Sequence, residues 1–241
     1  MVKGVKSEDV SAVFKKIPRS ARRRVKEVAT DLARNMEKIA RDSFPKSAVV
    51  SDRFHVAQLI SEAVQTVRIK YRWEAIEEET ALIKNSRLLG ITYKPAYYSN
   101  GDTKKQLLAR GRFLLFKTEG KWTDSQKKRA KILFAEFPKI HETYKLSMMF
   151  RNIYTTSKSK KHAEIEFLKW VKKVEEEKCD PLIKAAYSLE SHKENILNYF
   201  ANKTTNALAE SFNSKLKSFR QQFRGVSDIP FFLFRLTNIT A

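Results

Sequence analysis

The sequence predicts a mostly helical α+β chain: a short strand–helix–strand element at the front, a long helical block, and one further helix near the end. Three observations predict it. Two β-branched runs stop at acidic residues, Asp31 and Asp52. From Val56 onward the apolar residues recur at spacings of three and four. Near the end, residues 204–224 place their large apolar side chains on a single helical face.

In chain order, Ser7-Glu8-Asp9 opens a short helix that stops before Pro18, with Val10, Val13 and Phe14 on one face. Arg24–Asp31 (RVKEVATD) is read as a strand and Leu32–Ser43 as a helix, ended by Phe44-Pro45. Ser47–Phe54 is read as a second strand around Val49-Val50. Val56, Leu59, Ile60, Ala63, Val64 and Val67 then mark a long helix from His55 to about Glu79. Thr123-x-x-Gln126 is a capping-box signature ahead of a helix to Phe137. Helices are expected over Leu146–Tyr154, Ala163–Lys178, Pro181–Phe200 and Asn206–Gln222, with loops at residues 98–103, 155–161 and 202–205. The chain thus divides into 1–56, a helical block over 57–203, and a closing helix with a tail over 204–241.

Lysine and arginine number 48 against 27 acidic residues, a formal charge of +21. An excess this large predicts a polyanionic partner, nucleic acid before an anionic membrane surface. No apolar run approaches the roughly 20 residues of a membrane span, and MVKGVKSEDV has no secretory apolar core. The single cysteine, Cys179, excludes an intrachain disulfide and fits a reducing compartment. Four scattered histidines give a zinc site no support. The chain contains no G-x-x-x-x-G-K-[ST], no G-x-G-x-x-G and no G-x-S-x-G, which argues against P-loop, dinucleotide-binding and serine-hydrolase chemistry. Trp73, Trp122 and Trp170, at helical spacing, are read as core.

On the closing helix, Leu208, Phe212, Leu216, Phe219 and Phe223 share one face, and Glu210, Asn213, Lys217, Arg220 and Arg224 lie opposite. A lone carboxylate among cations suits two readings: a solvated charge ladder, or a metal-ligating oxygen flanked by phosphate contacts. At the front, Asp31 and Asp52 also suit two readings: caps for the helices that follow them, or functional carboxylates at strand ends. Lys104-Lys105, Arg110/Arg112, Lys127-Lys128-Arg129 and Lys158–Lys161 are further candidates for phosphate contacts.

Asp52-Arg-Phe-His-Val56, preceded by Phe44-Pro45 and Ala48, together with Asn206-Ala207, Ala209-Glu210-Ser-Phe-Asn213, Lys215 and Lys217, resembles the ISL3 family of bacterial insertion-sequence transposases, most closely its Bacteroidetes branch. The resemblance covers the chain from Met1 to about Ala241. It implies a DDE transposase with an RNase-H-like core and a large all-helical insertion before the last carboxylate. In that fold two Asp and one Glu hold Mg²⁺ or Mn²⁺ and cut and join DNA by a two-metal in-line displacement.

Carried over by motif, Asp31 resembles the second catalytic aspartate and Glu210 the glutamate, the two being the metal ligands in this sequence. Asp52 and His55 resemble a supporting D-x-x-H signature, with Asp52 the alternative for the second aspartate. Asn213, Lys217, Arg220 and Arg224 would contact DNA. The strand expected to carry the first Asp would precede Ser7, so the chain is expected to hold a partial core lacking its first strands and to be catalytically incomplete alone. The partners implied are transposon-end and target DNA, a second copy of the chain, and a separate N-terminal transposase polypeptide. The location implied is the bacterial cytoplasm, at the nucleoid. The other reading is a non-enzymatic, basic DNA-binding remnant.

Overall fold

The computed structural model describes residues 4, 6–202, 207–223, 225 and 228–240. It divides into two units, residues 1–202 and residues 203–241.

The first unit opens with α1 (Ser7–Lys15) and α2 (Arg19–Arg22), followed by β1 (Glu27–Thr30), α3 (Arg34–Ser43) and β2 (Ala48–Ser51). β1 and β2 are parallel, with Glu27 opposite Ala48 and Thr30 opposite Ser51. A parallel pair needs a crossover, and α3 supplies it. Its apolar side, Ile39 and Ala40, is buried, and Phe14 of α1 meets Phe44 edge-on at 5.2 Å. Arg22 ties the element together by donating to the carbonyls of Ile17 (3.1 Å) and Ser43 (2.6 Å), the latter an otherwise orphaned acceptor at a helix end.

Ala48 and Asp52 donate their backbone N–H to Lys26 and Thr30. By alternation, Val49 therefore presents its carbonyl to the far side of β2, where the Asn198 amide donates to it at 2.9 Å. A helix side chain thus closes one edge of the sheet. On β1, the same alternation turns the backbone groups of Glu27 and Ala29 away from β2.

The helical block is built on α4 (Arg53–Leu88), whose 36 residues extend about 54 Å. It packs against α5 (Lys104–Leu115), α7 (Pro138–Thr156) and α9 (Asp180–Ser191). α6 (Asp124–Glu136) lies on α5 and α7, α8 (Lys160–Glu176) on α7, and α10 (Lys193–Asn202) joins α8 to β2. Trp170, Tyr144, Phe167 and Leu133 are among the side chains buried completely or nearly so.

The strands are shorter than the sequence predicts, because Asp31 and Asp52 each turn the chain out of the sheet. α4 begins at Arg53 and runs to Leu88, nine residues past the expected end at Glu79. It stops where Gly90 takes φ +68° and Ile91 N–H reaches back to the Ser86 carbonyl at 3.0 Å, a Schellman closure. α5 has the same cap as α6: Thr103 and Gln106 form a second capping box. The expected helix over Pro181–Phe200 is two, α9 and α10, broken at His192. Trp170 is core, whereas Trp73 is 58 % exposed.

In the second unit, α11 (Ala207–Gln222) is followed by α12 (Ile229–Thr240), a helix where the sequence predicts only a tail. Asp228 starts it by accepting from Phe231 N–H at 2.9 Å. Phe219, Phe223 and Phe232 pack together, with Phe219–Phe223 centroids 4.6 Å apart. No helix among the described residues is long and apolar enough to cross a membrane.

Candidate functional site

The strand register brings the two front aspartates together. Thr30 pairs with Ser51, so Asp31 and Asp52 occupy matched positions just beyond the C-terminal ends of adjacent parallel strands, which run about 4.8 Å apart. Asp52 N–H still donates to the Thr30 carbonyl at 2.7 Å, carrying the pairing to the very edge. Open parallel sheets place their chemistry at this edge.

Both aspartates turn the chain in the same way. Asp31 Oδ1 accepts from Ala33 N–H and Asp52 Oδ1 from Phe54 N–H, each at 3.0 Å. For Asp52 this is the N-cap of α4. Asp31 is not the cap of α3: its side chain holds an Asx-type turn, Ala33 stays extended at ψ 124°, and the helix starts at Arg34. At Asp31 the carboxylate, accepting this backbone bond, retains lone pairs for a further partner.

Around Asp52, which is buried, the D-x-x-H segment divides its side chains between core and solvent. Val56 is fully buried, and the Arg53 guanidinium lies over the Tyr154 ring at 5.2 Å. Burial pushes the Tyr154 phenol well above its usual range, partly offset by that arginine. His55 Nε2 stands 3.8 Å from Asp52 Oδ2 and is half-exposed, and Phe54 is exposed beside it. His55 is thus placed to steady the carboxylate or to meet a ligand on its open side.

α3 is clamped to the helical block by Glu37, whose Oε1 is 2.5 Å from His192 Nδ1, and by Arg41, which donates to Asn195 at 3.2 Å. This holds the Asp31 turn against α9 and α10 through packed neighbours.

Glu210 and Asn213 lie on α11, but their side chains fall outside the described residues, as does Arg224 altogether. Lys217 and Arg220 are exposed and line a cleft of about 670 Å³ with Phe223, Asp228, Ile229 and Phe232, between α11 and α12. Among the described residues no group of three or more His, Cys, Asp or Glu could hold a metal. Asp31 and Asp52 thus supply the right kind of donor for a hard divalent cation, hard oxygen, without completing a coordination set by themselves.

Several cations expected to meet phosphate are already engaged. Arg110 and Arg129 both bind the buried Asp102, Arg129 at 2.7 Å. Burial alone would push the Asp102 carboxyl up; hydrogen bonds from Arg129 and Arg110, the Arg129 charge and the Asn100 amide hold it below the usual aspartate value. Lys104 and Lys105 pair with Glu78 and Glu79, Lys127 with Asp124, and Lys160 with Glu194. The basic surface missed by sequence reading lies ahead of β1. Lys15, Lys16, Arg19, Arg23, Arg24 and Lys26 are all exposed, and none is in an ion pair among the described residues. The sequence does carry its signal: no acidic residue occurs between Asp9 and Glu27.

A family model described as Transposase, of the ISL3 type, matches residues 1–236. Comparisons with curated proteins and with solved structures return no match. With nearly the whole chain matched, and with the motifs at Asp52 and Glu210 inside the match, the chain belongs to the ISL3 transposase family.

Proposed function

We propose that this transposase chain handles DNA through the DDE chemistry of an RNase-H-like core, with Asp31 and Glu210 as metal ligands and Asp52 and His55 supporting them. The observation that carries the reading is the matched placement of Asp31 and Asp52 past the ends of two adjacent parallel strands. Mg²⁺ or Mn²⁺ would be held by Asp31 and Glu210 together with a further carboxylate. Such an ion pair supplies a Lewis acid and a metal-activated nucleophile for in-line phosphodiester displacement. The protein's own part is to present carboxylate oxygens at a rigid sheet edge, to hold them by the Ala33 and Phe54 amides, and to place His55 beside them. Lys217 and Arg220, with Asn213 and Arg224, would contact the DNA backbone.

Cleavage of DNA carrying the element's ends, assayed with Mn²⁺, tests this. Asp31→Asn and Glu210→Gln should each abolish cleavage and leave salt-sensitive binding in place. Cleavage that survives both changes sinks the reading. A second reading, binding without catalysis, is favoured by the six exposed cations of residues 15–26. It predicts steeply salt-dependent association with duplex DNA and no divalent-dependent product.

A further inference from the structure

Among the described residues, Arg68, Arg72 and Arg112 of the helical block are in no ion pair. Arg68 of α4 is only 5 % exposed, and its guanidinium donates to two uncharged acceptors, Gln65 Oε1 at 2.6 Å and the Leu108 carbonyl at 2.9 Å. Gln65 in turn donates to the Arg112 carbonyl at 3.2 Å, fixing α5 against α4 beside it. Gly111 makes this approach feasible. A Cβ there would stand 3.1 Å from Leu133 and 4.0 Å from the Arg68 stem.

The charged neighbours of Arg68 are Arg72 and Arg112, both of its own sign. Arg72 sits one helical turn on, at i+4, where like charges repel, and its Nε is buried without a hydrogen-bond partner among the described residues. Arg112 reaches the surface over the Phe113 ring at 5.8 Å. Desolvation first, then the repulsion of Arg72 and Arg112, brings the Arg68 guanidinium down to about 10.

Buried charge is ordinarily paired, and the same block shows how: Arg110 and Arg129 converge on Asp102. At Arg68 two more arginines lie near, Arg72 one turn along α4 and Arg112 on α5, whose carbonyl Gln65 holds, and no described side chain supplies an anion to it. We propose that Arg68, Arg72 and Arg112 form a receptor for a phosphate group, Arg72 and Arg112 gripping it at the surface and Arg68 adding its charge from below. Guanidinium forks match phosphate oxygens, and a tetrahedral phosphate offers enough acceptors for more than one of them. Two sources share this chemistry, a nucleic-acid backbone and free phosphate. The site shares no residue with the carboxylate edge, so either can fail without the other.

The test compares the full chain with Arg72→Gln/Arg112→Gln in two measurements. In the first, melting is followed in increasing phosphate, with chloride at matched ionic strength as the control. The wild type should gain melting temperature saturably in phosphate, and the double variant should not. In the second, duplex DNA binding is measured across a salt series. The slope of log K against log[salt] should fall by roughly 0.9 for each DNA phosphate the variant no longer neutralises. Loss of both responses establishes a nucleic-acid phosphate site. Loss of the melting response with an unchanged slope upholds the receptor for free phosphate and rejects DNA as its source. A wild type without a phosphate-specific gain, or a double variant that keeps the gain, overturns the proposal. Arg112→Gln alone, at an exposed position, repeats both measurements should the double variant fail to fold.

Discussion

Lys104, Lys105, Lys160 and Lys193 each end on a glutamate of a neighbouring helix. Lys15, Lys16, Arg19, Arg23, Arg24 and Lys26 end in solvent. The helical block pairs these lysines across helices, whereas the front element leaves the cations of residues 15–26 unpaired among the described residues. In the block, packed helices bring acidic and basic side chains face to face at these positions, so part of its charge is turned inward on itself. At the front, Glu8 pairs with Lys38, Asp31 and Asp52 hold turns, and Glu37 meets His192, which leaves the cations of residues 15–26 without an ion pair among the described residues. A cation count along the sequence therefore does not locate a binding surface. The positions of the carboxylates decide which cations remain for a partner.

That contrast breaks most readily at Asp102. Its side chain is fully buried between Arg110 and Arg129, so Asp102→Ala should cost about 3–5 kcal/mol by leaving two guanidinium groups without their acceptor. Urea unfolding would measure it. A loss below about 1 kcal/mol would mean the block does not depend on this neutralisation.

The same residue sets a pH dependence. Its folded carboxyl lies below the ordinary 3.8, so its contribution is complete above that pH and is lost as pH falls through the lowered folded value. The stability difference between wild type and Asp102→Asn should be full at neutral pH and shrink in acid below 3.8.

At the sheet edge the effect is smaller and more informative. Asp52→Ala removes the α4 cap and should cost about 1 kcal/mol, whereas Asp52→Ser keeps a capping oxygen and should cost less than half of that. If Asp52 also supports a metal site, Asp52→Ser restores the melting temperature without restoring Mn²⁺-dependent cleavage. Recovery of both would reduce Asp52 to a cap.

The smallest change in stability is expected where the front element faces solvent. Replacing Arg19, Arg23, Arg24 and Lys26 together by Gln should shift unfolding by no more than about 0.5 kcal/mol. Their loss should nevertheless flatten the salt dependence of DNA binding, by about 0.9 for each phosphate left without its cation. Equal flattening from glutamines at Lys104 and Lys105 would erase the distinction between the two regions.

Much of the architecture is legible in the chain itself. The three-and-four spacing after Val56 is a local pattern, and it places α4 within a few residues of its start. Thr123 and Gln126 announce α6 because a capping box is made within one turn. Thr103 and Gln106 carry the same signature, and Gly90, whose positive φ ends α4, is an equally local stop signal; neither enters the sequence-based expectation. Asp31 and Asp52 are recognisable as chain-turning residues at the ends of β-branched runs. That they stand side by side requires β1 and β2 to pair in parallel with Thr30 opposite Ser51, a long-range choice no local window contains.

By itself, then, the sequence determined the elements whose causes lie within a turn or two: amphipathic faces, caps, and acids that end strands. It also determined the net positive charge. The tertiary structure decided which carboxylate meets which cation, because Lys160 and Glu194, or Arg129 and Asp102, become neighbours only when helices distant in sequence pack. It also decided which cations remain open to a phosphate.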